Sequence, residues 1–180
     1  MTKFEGTEER DLMADERVDI VDEQDNVIGT ATRAEMRERK LLHRGVAILC
    51  RNSKGDVYMH RRTDTKDVFP GLYDCFVGGM VTAGEDYDTA AAREIREELG
   101  IEDSPVELVF KHHYEGSDNP HLLQFYEVTY DGPFTHQETE VAWGSFIPPA
   151  ELDKIIDDWD FVPDGRELWK RFRSEVGSRG

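Results

Sequence analysis

The fold of this chain is decided by residues 78–101, which read GGMVTAGEDYDTAAAREIREELGI. Asp86 is a residue type that caps helix N-termini with its side chain, and Gly100 tolerates the left-handed conformation that commonly follows a last helical turn. These two signals predict a helix from Tyr87 to Leu99. At about 100° per residue, one apolar stripe that we expect to pack on a sheet contains Tyr87, Ala91, Ile95 and Leu99.

Three acids crowd onto the same helix. Glu94, Glu97 and Glu98 are spaced i, i+3 and i+4, so their side chains are neighbours. Like charges at this spacing are destabilising in water, and more so when they are partly buried. A bound Mg²⁺, which prefers oxygen ligands and commonly bridges carboxylates to phosphates, would remove that cost. The alternative is a solvated acidic face that Arg93 and Arg96 partly neutralise.

The spacing around these acids is specific. From Gly79 to Ile101 the chain matches G-x5-E-x7-R-E-U-x-E-E-x-G-U, where U is a bulky aliphatic residue. With average residue usage, a chance match has a probability on the order of 10⁻⁹ per starting position. The pattern is the signature of the Nudix hydrolases, which the chain resembles over the whole motif. The resemblance implies an α/β/α sandwich and hydrolysis of a nucleoside diphosphate linked to another moiety, with Mg²⁺ or Mn²⁺ as cofactor.

The resemblance also implies roles within the motif. The family's usual metal ligands match Glu94, Glu97 and Glu98. Its loop-bracing ion pair matches Arg93 and Glu85. Gly79 lacks a Cβ, so its loop can approach the helix and leave room for a metal-bound pyrophosphate. We therefore expect a metal site formed by Gly79 and the three glutamates.

The catalytic general base is not fixed by the motif. A divalent cation would lower the pKa of a coordinated water, and a base must lie within reach of that water. Glu97 and Glu98 are candidates, and so are two acids of the later segment HQETEVAWGSF, Glu138 and Glu140. We favour Glu140; the alternative is that it is an acid on a surface loop.

A second resemblance covers most of residues 17–165. The segments VDIVDEQDNVIG, LLHRGVAIL, HRRTDTKDVFPGLYD and WDFVP look like type I isopentenyl diphosphate isomerases and the hydrolases nearest to them. The isomerase's catalytic cysteine aligns with Gly78, and Cys75 lies three residues too early. The cysteine that isomerase chemistry needs is therefore absent from its position.

The isomerase's metal ligands are mostly replaced as well. Of its three histidine positions, one is retained as His43 and the others hold Met36 and Met80, while its acidic pair matches Asp118 and Pro120. Methionine and proline cannot supply the hard ligands required. We interpret His43 as a structural histidine and favour hydrolysis. An isomerase-like enzyme and a non-catalytic nucleotide-binding module are the alternatives.

The segment HRRTDTKDVFPG offers candidate substrate contacts. Arg61 and Arg62 point to opposite faces if the segment is a strand, so at most one of them faces the ligand. Lys66 precedes a turn from which it can reach a phosphate. Three aromatic residues are candidates for stacking on a base, although such residues in strands are usually core: Phe69, Tyr73 and Phe125.

Composition limits the partners and the location. The 180 residues carry a formal net charge of -17, which disfavours nucleic-acid duplexes and anionic membranes as partners and leaves a small-molecule diphosphate bound with metal help. The acidic start of the chain differs from a secretory leader, and no apolar run reaches about 18 residues, so we predict a cytoplasmic protein. Cys50 and Cys75 lack metal-site spacing and are expected to be buried thiols. Many Nudix relatives pair, so the resemblance implies a homodimer as one assembly state.

The pattern along the chain predicts one domain. Residues 1–15 are charged and lack periodicity, which predicts a disordered extension, and residues 16–180 are predicted to be a single Nudix domain. We expect a hairpin leading into the short helix RAEMRERK, an antiparallel pair GVAILCRN and DVYMHRRT, and a second pair VELVFKHHYEG and HLLQFYEVTYDG. Two further helices are expected in PAELDKIIDDW and PDGRELWKRFRSEV. In this order the elements predict an α/β fold with a mixed β-sheet.

Overall fold

The computed structural model describes residues 16–66, 68–116 and 119–176. The predicted disordered extension at residues 1–15 and the acid Asp118 lie outside this range. Among the described residues, nine strands join one mixed sheet and four helices flank it. No helix in the same residues is both long enough and apolar enough to cross a membrane.

The strands are β1 (Arg17–Val21), β2 (Val27–Thr32), β3 (His43–Arg51), β4 (Val57–Arg62), β5 (Tyr73–Asp74), β6 (Val77–Met80), β7 (Glu107–Tyr114), β8 (His121–Thr129) and β9 (Val141–Ile147). The helices are α1 (Arg33–Arg39), α2 (Tyr87–Leu99), α3 (Pro149–Ile155) and α4 (Pro163–Glu175).

Strand β3 is the centre of the sheet. Strand β3 pairs in parallel with β8 along its whole length. On the other edge of β3, strand β6 pairs with it antiparallel. The predicted pair of β7 and β8 is confirmed. The predicted pair of β3 and β4 is right only beside its turn, where Arg51 faces Val57. Because β6 and β8 occupy the edges of β3, β4 pairs with β9 beyond that point.

Helix α2 forms where the sequence predicts it. The Asp86 side chain accepts a hydrogen bond from the N–H of Thr89 at 2.8 Å, and Gly100 closes the helix with a φ of 70°. The predicted apolar stripe packs on one face of the sheet, in a core cluster that includes Ala91, Ile95 and Leu99, with Tyr87 partly buried against it. The packing of this stripe fixes which side of α2, and hence which glutamates, turn toward β6.

Helices α3 and α4 cover the opposite face. Alternate residues of β3 point to the two sides, since Ile48 belongs to the α2 cluster and Leu49 to a second cluster that contains Trp169 of α4. Phe125 is fully buried in this second cluster and stacks on Phe110 at 4.7 Å, so it is a core residue and not a base-stacking one. With helices on both faces of a mixed sheet, the predicted α/β/α sandwich is confirmed.

The β1–β2 hairpin leads directly into α1, as predicted. Thr32 caps the helix in a capping box: its Oγ1 accepts from the N–H of Glu35 at 3.2 Å, and its own N–H donates to the Glu35 carboxylate at 2.9 Å. The helix therefore begins at Arg33. Cys50 and Cys75 are free and buried, as expected.

Candidate active site

Two adjoining cavities lie where α1, α2 and β6 meet. The acidic pocket, as we call it, is lined by Glu94, Glu97, Glu98 and Glu140, with Gly79 opposite. The second cavity, which we call the cleft, has a volume of about 190 Å³ and extends to the start of α4. Both cavities are lined by Arg33, Lys66, Gly78, Gly79, Met80 and Glu98. A ligand that spans the cavities would pass these residues.

The three motif glutamates of α2 lie in different environments. Glu94 and Glu98 are 9 % and 8 % exposed, whereas the Glu97 side chain is 45 % exposed at the rim. Nη1 of Arg93 lies 2.7 Å from Oε1 of Glu94 and 3.2 Å from Oε2 of Glu97, so one guanidinium faces both carboxylates. Glu98 accepts a longer hydrogen bond, of 3.4 Å, from the N–H of Gly78.

Burial makes ionisation of the two inner glutamates unfavourable. The pKa of Glu98 rises to about 8, first because the carboxyl is buried and then because Glu94 is near, while Lys66 and Arg62 oppose the shift. Burial also raises the pKa of Glu94, against the neighbouring charge of Arg93. Buried carboxylates of this kind gain from any cation that replaces their lost hydration.

Gly79 brings β6 against Glu94. A Cβ on this residue would lie 2.5 Å from Oε1 of Glu94 and 2.9 Å from its Cδ, closer than normal contacts allow. The absence of a side chain at Gly79 therefore leaves the space that the Glu94 carboxylate occupies.

The loop between β6 and α2 is held by an ion pair. Nε and Nη2 of Arg93 donate to the two oxygens of Glu85 at 3.0 and 3.1 Å, and Nη2 also donates to the Met80 carbonyl at 3.2 Å. The N–H of Thr82 donates to the same carboxylate at 3.0 Å. Burial alone would raise the pKa of Glu85, but the hydrogen bonds from Arg93 and Thr82 lower it overall. Arg93 thus ties the loop to the helix while facing the other glutamates.

Glu140 reaches the acidic pocket from the start of β9, whereas Glu138 is exposed. The Glu140 carboxylate pairs with Nζ of Lys66. The backbone beside it is tied to the loop after β4, because the N–H of Thr63 donates to the Glu140 carbonyl at 3.1 Å and Oγ1 of Thr63 donates to the Thr139 carbonyl at 2.8 Å. The structure thereby brings together two predicted site residues that are 74 positions apart.

The two predicted arginines separate, as their positions in β4 require. Arg62 lines the cleft and donates to the carbonyls of Val68 and Phe69 at 3.0 and 3.2 Å. Arg61 donates to Asp64 at 2.6 Å and is not among the described residues that line the cleft. Burial and then Arg62 lower the pKa of Lys66 to about 8, against the opposing charge of Glu98.

Arg33 is a site residue that the sequence reasoning missed. It lines both cavities, and its Nε is buried without a hydrogen-bond partner among the described residues. Its Nη1 lies 3.5 Å from Oε2 of Glu16, a long contact. The signal that could have found it is the capping box at Thr32, which places Arg33 at a helix start.

The available side chains suit a hard divalent cation. Their oxygens are carboxylates, the ligand type that Mg²⁺ and Mn²⁺ prefer. Within residues 16–66, 68–116 and 119–176, no three His, Cys, Asp or Glu side chains form a group that could hold a metal ion as they stand. Arg93 faces the carboxylates of Glu94 and Glu97 instead. The donor chemistry fits a cation, because each of these two carboxylates keeps a second oxygen, Oε2 of Glu94 and Oε1 of Glu97, that accepts no hydrogen bond from Arg93.

Comparison with known proteins supports this assignment of the motif. The NUDIX domain family matches residues 41–171. The chain is a member of the Nudix family. It is 47 % identical over 169 residues to SCO1686 of Streptomyces coelicolor, described as an uncharacterized Nudix hydrolase, with 93 % of each chain covered. PA4841 of Pseudomonas aeruginosa, described in the same words, is 41 % identical over 152 residues, which cover 84 % of this chain and 90 % of that one.

A solved structure shares the same architecture. The crystal structure of DR0079 from Deinococcus radiodurans superimposes with a TM-score of 0.76 at 29 % identity, covering 87 % of this chain and 98 % of that one. As a Nudix hydrolase, the protein acts on phosphorus-containing anhydrides, that is, on pyrophosphate bonds. Nudix hydrolases generally use divalent cations, in keeping with the carboxylates of the acidic pocket.

Proposed function

We propose that this Nudix hydrolase cleaves the diphosphate bond of a small molecule, a nucleoside diphosphate derivative, with Mg²⁺ or Mn²⁺ as cofactor. The observation that carries the proposal is the buried pair Glu94 and Glu98 beside Gly79, a set of oxygens that a cation would stabilise. Glu97, at the rim of the same pocket, completes the proposed ligand set. When bound, the cation supplies charge neutralisation at the phosphoryl oxygens and lowers the pKa of a coordinated water.

The surrounding side chains have separate proposed tasks. Glu140 is the general base, and Lys66 positions its carboxylate inside the pocket. Arg33 donates its unpaired Nε to a phosphoryl oxygen where the two cavities meet. Arg93 and Glu85 hold the loop that carries Gly79 against α2. The motif residues thus keep the ligands in place, and Arg33 and Lys66 supply positive charge next to them.

Isomerase chemistry is disfavoured by the backbone at Gly78. This residue has a φ of 149°, and a Cβ on it would lie 2.1 Å from the carbonyl oxygen of Val46. A cysteine side chain at the isomerase's catalytic position would therefore collide with β3. The same contact explains why the chain carries glycine there.

A screen that identifies the phosphorus-containing hydrolysis products by phosphorus NMR tests the proposal. It covers nucleoside di- and triphosphates, nucleotide sugars, dinucleotides, coenzyme A and prenyl diphosphates, each with Mg²⁺ and with Mn²⁺. We expect hydrolysis of at least one nucleoside diphosphate derivative, and a loss of about 100-fold or more in kcat for Glu98→Gln and Glu140→Gln. The matched control is Glu138→Gln, which changes the neighbouring exposed acid and should retain full activity.

The outcomes separate the alternatives. Undiminished turnover in Glu98→Gln would refute the assigned metal role. Affinity for a nucleotide without turnover of any compound would identify a binding module, and a prenyl product that keeps its diphosphate with a moved double bond would identify an isomerase. The homodimer and the cytoplasmic location stay predictions, which gel filtration with light scattering and cell fractionation can test.

A further inference from the structure

The part of the cleft that the acidic pocket does not share includes a group of hydrogen-bond acceptors in its lining. His43 and His121 stand side by side at the starts of the parallel strands β3 and β8, and Asp74 ends β5. These side chains belong to residues that are 2 %, 5 % and 7 % exposed, yet all of them line the cavity. We call these three residues the acceptor wall.

Both histidines of the wall present a bare ring nitrogen. Their Nδ1 atoms lie 3.0 Å from the Leu41 carbonyl and 2.8 Å from the Asn119 carbonyl; a carbonyl only accepts, so each Nδ1 carries the proton. Burial lowers the pKa of His43 to about 4 and also lowers that of His121, so both rings are neutral near pH 7. Each Nε2 is then an acceptor, and neither makes a hydrogen bond to a residue that the structure describes.

Asp74 adds a carboxyl group with one oxygen to spare; burial raises its pKa to about 7, so this oxygen is an acceptor above that pH. Its Oδ1 accepts from the N–H groups of Cys75 and Phe76 at 2.8 and 3.1 Å. The start of α4 comes close to the same oxygen at Gly165, where an added Cβ would lie 2.6 Å from it. Oδ2 makes no hydrogen bond within the described part of the chain. Asp164, which also lines the cleft, adds a further acidic group beside the wall.

Four cations line the cleft, Arg33, Arg37, Arg62 and Lys66, and the hydrogen bonds that the wall makes within the described residues involve none of their side chains. Arg62 donates to the carbonyls of Val68 and Phe69, and Lys66 pairs with Glu140. A ligand group that replaces water at the wall must therefore bring its own donors, because a buried acceptor left unpaired is unfavourable. The wall consequently favours polar, donor-bearing groups over hydrocarbon.

We propose that the acceptor wall selects diphosphates whose organic group carries O–H or N–H donors, and that it discriminates against hydrocarbon diphosphates. The inference rests on the proposed function, because it places the diphosphate at the acidic pocket and the organic group in the cleft. Sites built to hydrogen-bond a substrate reject an isostere without donors far more strongly than apolar pockets reject an added hydroxyl. The wall thus favours substrates whose organic group can donate hydrogen bonds to it.

Three isosteric diphosphate monoesters test the proposal. n-Pentyl, 4-hydroxybutyl and 4-aminobutyl diphosphate differ in one terminal heavy atom, and each series is also made one methylene shorter and one longer so that reach does not decide the result. At about pH 8, where Asp74 is ionised, and with Mg²⁺ present, we expect kcat/KM to be about tenfold or more higher for a donor-bearing ester than for the alkyl ester of equal length. The hydroxyl ester supplies a neutral donor, whereas the amino ester carries an ammonium group at this pH. A preference confined to the ammonium esters would also overturn the proposal, because acidic groups attract a cation whatever its hydrogen bonds. Equal values within every length, or a preference for the alkyl esters, would overturn the proposal.

Two variants locate the preference. In His121→Asn the new amide N–H can replace Nδ1–H toward the Asn119 carbonyl while the Nε2 acceptor is lost, and Asp74→Asn keeps Oδ1 but replaces the spare oxygen by a donor. Each should reduce the donor preference several-fold. The control is Asp131→Asn, which should leave the preference unchanged. Asp131 accepts hydrogen bonds from Ser53, away from the cleft. Thermal melting shows which wall variants fold; an intact preference in a folded one contradicts the assignment.

Binding separates this inference from the proposed function. If no ester is hydrolysed, the screen of nucleoside diphosphate derivatives still tests the proposed function, and dissociation constants for the same esters, measured by calorimetry with Mg²⁺, test the wall alone. We expect the donor-bearing esters to bind about tenfold or more tightly than the alkyl esters. Equal dissociation constants would overturn the inference whatever the result of the activity assay.

Discussion

Replacing Gly79 by alanine changes the contact between β6 and the Glu94 carboxylate by a single methyl group. The new Cβ would lie 2.5 Å from Oε1 of Glu94, whereas ordinary contacts start near 3.4 Å, so the carboxylate must move by about 0.9 Å. Gly79 does not have a positive φ, so the backbone itself accepts alanine. A displacement of about 1 Å at a catalytic centre costs on the order of 100-fold in rate, or about 2.7 kcal/mol of transition-state stabilisation.

The assay compares Gly79→Ala with Gly29→Ala, a strand glycine where an added Cβ meets nothing within 4 Å. We expect kcat/KM for diphosphate hydrolysis to fall about 100-fold in Gly79→Ala and to stay at the wild-type value in Gly29→Ala. Unfolding free energies should change by no more than about 1 kcal/mol in either variant, because Glu94 can turn at its flexible end. A folded Gly79→Ala enzyme that keeps activity within about threefold of wild type would refute the reasoning.

Three further changes have defined outcomes. Arg33→Gln should raise KM for the diphosphate about tenfold with a smaller effect on kcat, because the unpaired Nε is lost; an unchanged KM in steady-state assays would contradict its phosphate role. Lys66→Met should lower kcat about tenfold, because the Glu140 carboxylate loses the partner that positions it. Equal kcat values for this variant and the wild type would contradict the positioning role of Lys66. Asp74→Asn should stabilise the fold near pH 8 but not near pH 4. Burial raises the folded-state pKa of Asp74 to about 7, and an unfolded Asp titrates near about 3.9, so the wild type loses stability as pH rises through this window. Denaturant titrations that show the same difference at both pH values would contradict this assignment.

The parts of the site that follow from local sequence are those on α2. Asp86 and Gly100 mark the ends of the helix through contacts within a few residues, and the 3.6-residue period then fixes which faces carry the stripe and the glutamates. The motif also predicts that Gly79 approaches α2, because only a few residues separate Gly79 from the start of that helix. These features were predictable since each depends on neighbours along the chain.

The remainder depends on contacts between distant segments. Lys66 meets Glu140 across 74 positions, and His43 meets His121 because β3 and β8 pair in parallel. No periodicity in the sequence encodes the parallel register. The pairing of β4 with β9, where the sequence predicts β3, likewise depends on which strands occupy the edges of β3. Arg33 was missed because a basic residue at the start of a short helix resembles any solvated residue until the sheet places β6 beside it.

Manganese binding at pH 7 tests most directly whether a cation belongs among the α2 glutamates. With a pKa of about 8, Glu98 holds a proton at that pH and must lose it to bind a cation. Titration calorimetry in two buffers of different ionisation enthalpy should show Mn²⁺ binding with release of close to one proton, and Glu98→Gln should lose both the affinity and the proton release. No Mn²⁺ binding by the wild type with a diphosphate present, or equal binding by Glu98→Gln without proton release, would contradict the account.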